Sequence, residues 1–333
     1  MTYRNNKSTR RNTLAGIIAA SIAIAALIII VSVVGDPAGR KNAGEGIASS
    51  GTQPTTQSAD AATTTSKEKE SQTTTETTSE ATTETTTETT TTTEVTTPAS
   101  DSKGMNPKYY EEAIDTEREA EKRVYLTFDD GPSVNTGDIL DILKKYGIKA
   151  TFYNIGTDSE EMLELQRRVY DEGHTLAIHS VSHDYSQIYS SFENWKADVL
   201  GEQERIKDNV GITTKYYRFP GGGSNSKGSK YGTSIRDCAA WLDENGFSYQ
   251  DWNIDSRDAD GNEYTPEQMA QNIIDDITGS EKTDFIVLMH DAKPKTTTVK
   301  CLPKVIETLQ AKGYTFCQIT DNTVSIHHNF YEG

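Results

Sequence analysis

The sequence predicts an α/β chain built around a (β/α) barrel, set behind a disordered stalk and an N-terminal transmembrane helix. Three observations predict it. Beyond residue 105, strand-like and helix-like stretches alternate about seven times in some 225 residues, the pattern of a parallel sheet with helices outside it. Between Thr52 and Thr97, 23 of 46 residues are Thr and seven are Glu. From Leu14 to Val34 there are 21 residues with no charge among them.

The uncharged run matches the ~20 residues a helix needs to cross the hydrocarbon core. Arg4, Lys7, Arg10 and Arg11 precede it and favour a cytoplasmic N-terminus, residues 1–13, with the chain beyond residue 34 outside. A cleaved signal peptide is the alternative and would leave a secreted protein. Its apolar core is usually about 7–15 residues, and no A-x-A site follows Val34. Residues 35–104 form the stalk. From Ala48 to Gly104 the sole large aliphatic residue is Val95 and there is no aromatic, so too little apolar surface exists to offset chain entropy. At roughly 5–6 Å × √n such a tether spans on the order of 45 Å.

Residues 105–333 read as one domain. Strands are expected at Val124–Phe128, Ala150–Ile155, Thr175–His179, Tyr216–Phe219, Ser248–Ile254, Phe285–His290 and Tyr314–Ile319. Helices are expected between them, at Asp138–Tyr146, Ser159–Glu172, Phe192–Asn209, Ser234–Glu244, Pro266–Ile277 and Leu302–Lys312. Gly147, Gly173 and Gly313 supply stops, and Pro266 suits a first helical turn. A doubly wound open sheet is the alternative. This region holds 39 acidic and 24 basic residues, which excludes the basic footprint of a nucleic-acid binder. Cys238, Cys301 and Cys317 make an odd set. A Cys301–Cys317 bridge and three buried thiols are both open.

Five polar clusters fall at the C-terminal ends of expected strands, where barrels and open sheets keep their chemistry. Thr127-Phe128-Asp129-Asp130-Gly131-Pro132 sets two carboxylates side by side, which both stay charged in a cleft if a cation balances them. His179 and His183 in HSVSH have the i, i+4 spacing of a zinc pair. With one carboxylate they leave a fourth position open for water. Arg218-Phe219-Pro220-Gly221-Gly222-Gly223 offers an Arg to orient a carboxylate and glycines whose N–H groups can approach a substrate oxygen. Asp251-Trp252-Asn253-Ile254-Asp255-Ser256-Arg257-Asp258 and Leu288-Met289-His290-Asp291 offer an acid/base pair. His174, Trp195 and Trp241 read as structural, Trp252 as able to reach the site, and His327 and His328 as part of an uninvolved polar tail.

In this order the clusters resemble the polysaccharide deacetylase family, carbohydrate esterase family 4 or NodB homology domain, over roughly residues 122–320. The resemblance implies a distorted (β/α)7–8 barrel and one divalent cation, usually zinc, with cobalt or another divalent ion as alternatives. It implies Asp129 as general base, Asp130, His179 and His183 as metal ligands, and Arg218 as the group that holds Asp129. It further implies His290 as general acid, oriented by Asp258 with Asp255 in competition, and the Gly221 N–H as oxyanion donor. Pro220, Gly221, Trp252 and Leu288 are the expected substrate-lining residues. Two positions depart from the family. Gly221 stands where many members have Tyr, and Ala259 where many have Trp, so the groove is lined differently. The expected activity is removal of N-acetyl groups from amino sugars of a cell-surface polysaccharide, peptidoglycan first. Acetylated xylan, chitin oligomers and a non-catalytic glycan-binding role are alternatives.

Overall fold

The computed structural model describes residues 104–331. The expected cytoplasmic N-terminus, anchor and stalk up to residue 103 lie outside the described residues. Among the described residues no helix is long and apolar enough to cross a membrane.

Among the described residues eight strands, all parallel, form one sheet: β1 (Arg123–Gly131), β2 (Thr151–Ile155), β3 (Thr175–Ser180), β4 (Tyr216–Tyr217), β5 (Ser248–Tyr249), β6 (Ile254–Asp255), β7 (Asp284–His290) and β8 (Thr315–Cys317). Their order, β5-β4-β3-β2-β1-β7-β6, is cyclic in sequence, as a barrel requires and a doubly wound sheet does not. β8 pairs with the first residues of β1. The ring is open between β5 and β6. There the expected strand Ser248–Ile254 divides, because the chain crosses from one wall to the other. Gln250 N donates to Tyr217 O at 3.1 Å, on β4, and Asn253 N to Ile286 O at 3.1 Å, on β7. Four residues, Gln250 to Asn253, thus span the gap that strand pairing leaves.

Alternation along β1 sorts the core. Val124, Leu126 and Phe128 face the helices, whereas Tyr125 joins Tyr153, Ala177, Tyr216, Ile286, Cys317 and Ile319 inside the barrel. The helices are α1 (Pro107–Glu119), α2 (Val134–Tyr146), α3 (Glu160–Asp171), α4 (Tyr185–Ile188), α5 (Phe192–Val210), α6 (Lys227–Tyr231), α7 (Ile235–Glu244), α8 (Pro266–Thr278) and α9 (Thr296–Ala311). Helix α2 starts four residues before the expected position because Ser133 and Thr136 close a capping box. Helix α9 starts at Thr296 rather than Leu302. Its buried Thr298, Cys301, Leu302 and Val305 outweigh the hydrogen bond that Pro303 removes. Helix α1, absent from the sequence expectation, seals the bottom of the barrel: buried Glu117 accepts from the hydroxyls of Tyr125, at 2.7 Å, and Thr320. Cys301 and Cys317 do not pair. All three cysteines are buried free thiols.

Candidate active site

The upper end of β1 carries the first device. Its register with β2 slips between Asp129 and Gly131, and the intervening Asp130 takes φ 70°. Such a bulge re-aims a side chain. Here it carries the Asp130 carboxylate to the end of β3, where Oδ1 lies 3.5 Å from His179 Nε2 and 3.3 Å from His183 Nε2. His183 also has a left-handed backbone, φ 52°, a strain that surrounding bonds must hold. Ser180 Oγ accepts from Ser182 N at 3.0 Å and His183 N at 2.7 Å, and Asp198 accepts from Val181 N at 3.2 Å.

The three ligand atoms lie within 4.8 Å of one another. His179 Nδ1 is 2.8 Å from the Arg218 carbonyl, which can only accept, so Nδ1 carries the proton and Nε2 keeps its lone pair. Burial pushes the His179 pKa down to about 3, leaving a neutral imidazole. Asp130 Oδ1 is buried and has no hydrogen-bond partner within the protein. Two imidazole nitrogens and an unpartnered carboxylate oxygen at one point fit a divalent metal cation.

Asp129, 2% exposed, stays on the strand line beside this cluster. Its Oδ1 accepts from Arg218 Nη1 at 2.8 Å. Arg218 is fully buried. It donates further to Thr127 Oγ1 at 2.7 Å, Gln250 O at 2.9 Å and Asp251 O at 3.1 Å, and its guanidinium lies 4.2 Å over the Tyr153 ring. Burial pushes the Asp129 carboxyl above its ordinary range, while Arg218 and then His290 pull the other way.

His290 is the ladder partner of Asp129 across β1 and β7. Its Nδ1 is 2.7 Å from Asp258 Oδ1, and Asp258 Oδ2 accepts from His290 N at 2.8 Å and Thr298 Oγ1 at 2.7 Å. Burial opposes the imidazolium, but the Asp258 carboxylate outweighs it and lifts the His290 pKa to about 9. Asp255 is not brought to His290. It is exposed, and its carboxylate turns back to accept from Arg257 N at 2.7 Å.

Gly221 is exposed with φ 80°. A Cβ there would stand 3.3 Å from the Tyr185 hydroxyl, and the Tyr185 ring is 5.3 Å from that of His183. Pro220 is buried, and its carbonyl accepts from Tyr189 Oη at 2.9 Å. Trp252 is half-buried with Arg218 5.7 Å from its ring. Leu288, 6% exposed, sits mid-ladder between Thr127 and Asp255.

The sequence profile described as Polysaccharide deacetylase matches residues 116–234. YheN of Bacillus subtilis, named a polysaccharide deacetylase, is 34% identical over 211 residues, covering 62% of this chain and 70% of YheN. A peptidoglycan-N-acetylglucosamine deacetylase of Bacillus cereus is 34% identical over 199 residues, covering 59% of this chain and 68% of that one. The chain belongs to the polysaccharide deacetylase family. It is a hydrolase that removes acetyl groups by cleaving amide bonds. In structure it is similar to the catalytic domain of peptidoglycan N-acetylglucosamine deacetylase from Eubacterium rectale. The TM-score is 0.59 at 34% identity, covering 70% of this chain and 98% of that one.

Several residues around the deacetylase site escaped sequence reasoning. Tyr185, next to His183 and Gly221, opens the one-turn helix α4, which is too short to leave a periodic signal. Tyr153 lies under Arg218 and reads as ordinary strand core. Asp291, which the sequence set beside His290 in the fifth cluster, is fully buried under the turn instead: burial pushes its carboxyl up to about 7, and it accepts from Thr136 Oγ1. A Cβ on Gly131 would come within 2.1 Å of that carboxylate, which is why glycine follows the two aspartates. His174 is structural. Its Nδ1 accepts from Ala150 N at 3.1 Å, and burial lowers its pKa to about 3. Trp195 is fully buried and Trp241 packs against it.

Proposed function

We propose that this enzyme deacetylates N-acetylglucosamine or N-acetylmuramic acid residues of peptidoglycan from a membrane-anchored position outside the cell. The observation that carries the chemical part is the meeting of Asp130, His179 and His183 around one point beside Asp129, with His290 as the ladder partner of Asp129. The wall polymer is favoured by the sequence: an uncharged 21-residue segment after a basic terminus, then a long Thr-rich stretch, suit a catalytic domain held away from a membrane. The similar proteins named peptidoglycan deacetylases point the same way.

Asp130, His179 and His183 would hold the cation. A bound divalent ion supplies Lewis acidity, polarising an acetamide carbonyl and lowering the pKa of water toward ~7. The protein's own groups supply the rest. Asp129, fixed by Arg218 and made more basic by burial, takes the proton of the attacking water. The Gly221 N–H stabilises the developing oxyanion, an interaction of the kind whose loss costs about 3–4 kcal/mol. His290, kept protonated by Asp258, delivers a proton to the leaving nitrogen, since an amide anion is too basic to depart. Tyr185 and Trp252 offer aromatic surface to the sugar.

Acetate and free amine are measured after incubation with purified peptidoglycan, N-acetylglucosamine oligomers and acetylated xylan. Equal amounts of acetate and amine from the wall polymer are expected. Acetate from xylan alone, with no new amine, would make it an O-acetyl esterase. Retention on glycan without acetate release would make it a binding module.

A further inference from the structure

The tail beyond β8, read from sequence as uninvolved, folds back against the β5–β6 crossing. Ile326 N donates to Gln250 Oε1 at 2.8 Å, and Asp251 N donates to Ile326 O at 2.8 Å. His327 stacks on Tyr249 with ring centroids 3.8 Å apart, and His328 Nε2 is 2.8 Å from Trp252 O. Asp251 is the clasp. Fully buried, it accepts from His328 N through one oxygen and from Gly223 N through the other, both at 2.7 Å. One carboxylate therefore fixes both the tail and the glycine loop that contains Gly221.

Past the clasp, Phe330 packs on Arg236, with 5.0 Å from guanidinium to ring, and Tyr331, 53% exposed, stands beside a groove of about 500 Å³. Asn225, Ser229, Gly232 and Arg236 line the groove with Tyr331. Asn225 joins it to the reaction site, since its side-chain amide donates to Pro220 O at 3.3 Å and Gly222 O at 2.5 Å. The groove thus adjoins the site: the Tyr185 ring neighbours that of His183, a Cβ on Gly221 would meet both Tyr185 and Asn225, and Asn225 lines the groove. A concave, mostly polar site with one open aromatic face suits a sugar ring, whose apolar face stacks while its hydroxyls meet amide and hydroxyl groups.

We propose that this groove is a second sugar subsite, which takes a neighbouring residue of the same glycan chain on Tyr331 and sets a preference for longer substrates. The proposal rests on the amino-sugar reading above. The test compares kcat and KM for acetate release from an N-acetylglucosamine hexamer and dimer, using the full chain, Tyr331→Ala, Tyr331→Phe and Ser229→Trp, which fills the groove. Wild type is expected to favour the hexamer. Tyr331→Ala and Ser229→Trp should cut the hexamer-to-dimer ratio of kcat/KM about tenfold, mainly through KM, and Tyr331→Phe should keep it. A wild-type ratio in both disruptive variants overturns the subsite while leaving the function standing. A wild type that releases acetate neither from these oligomers nor from purified peptidoglycan overturns the function, and the subsite with it; one active on peptidoglycan but silent on both oligomers overturns the subsite alone.

Discussion

Replacing Asp258 by Asn removes the carboxylate that faces both the ring and the backbone of His290. With Asp258 in place the His290 pKa is about 9, against an ordinary 6.5. A general acid works in its protonated form, so activity in the wild type should persist through neutral pH and fall as pH rises through about 9. Without the carboxylate the pKa moves toward 6.5, with burial lowering it and the Asp129 and Asp130 carboxylates raising it. At pH ~8 the protonated fraction then drops from about nine-tenths to about 3%, a roughly thirtyfold loss, whereas at pH ~6 about three-quarters remains. The assay is kcat/KM for acetate release across pH, reporting the free enzyme. A loss confined to the alkaline side, growing about tenfold per pH unit before it levels off, is expected. An equal loss at every pH, or an alkaline limb left where it was, would refute the role given to the Asp258–His290 pair.

The remaining predictions concern the cation, the buried pair and the turn. Chelation should abolish activity and zinc should restore it, while Asp130→Ala should lose activity and bound metal together. Normal turnover by metal-loaded Asp130→Ala would remove Asp130 from the ligand set. Arg218→Met leaves buried Asp129 without its cation, so denaturant unfolding should show a loss of about 3–5 kcal/mol, with activity down at least ~100-fold. Unchanged stability would mean that Asp129 has other support. Gly131→Ala places a carbon 2.1 Å from the Asp291 carboxylate, so the turn must shift. A cost of about 1–3 kcal/mol is expected, and a wild-type melting temperature would contradict it.

Much of the site was legible because its residues follow strands whose alternation is plain. Asp129 and His290 sit where the β1 and β7 runs end, and His179 and His183 straddle the end of β3. What stayed hidden depends on distance along the chain or on backbone detail. Asp255 ends the short strand β6 and Asp258 follows three residues later. Only the fold, which brings β7 and α9 against the second of them, separates their roles. The strand expected over Ser248–Ile254 divides because Gln250 and Asn253 bond to opposite walls, and no local preference announces that. The bulge at Asp130 is likewise invisible in residue type. The tail from Asp321 lacks any periodicity, yet buried Asp251 and Gln250 supply its backbone partners.

Anomalous diffraction at the zinc edge, from crystals of the active enzyme, addresses the central claim most directly. A single strong peak should lie about 2.0–2.2 Å from Asp130 Oδ1, His179 Nε2 and His183 Nε2, with Asp129 beside it and not bound. A peak elsewhere in an enzyme that still releases acetate, or no peak at that point, would contradict the account.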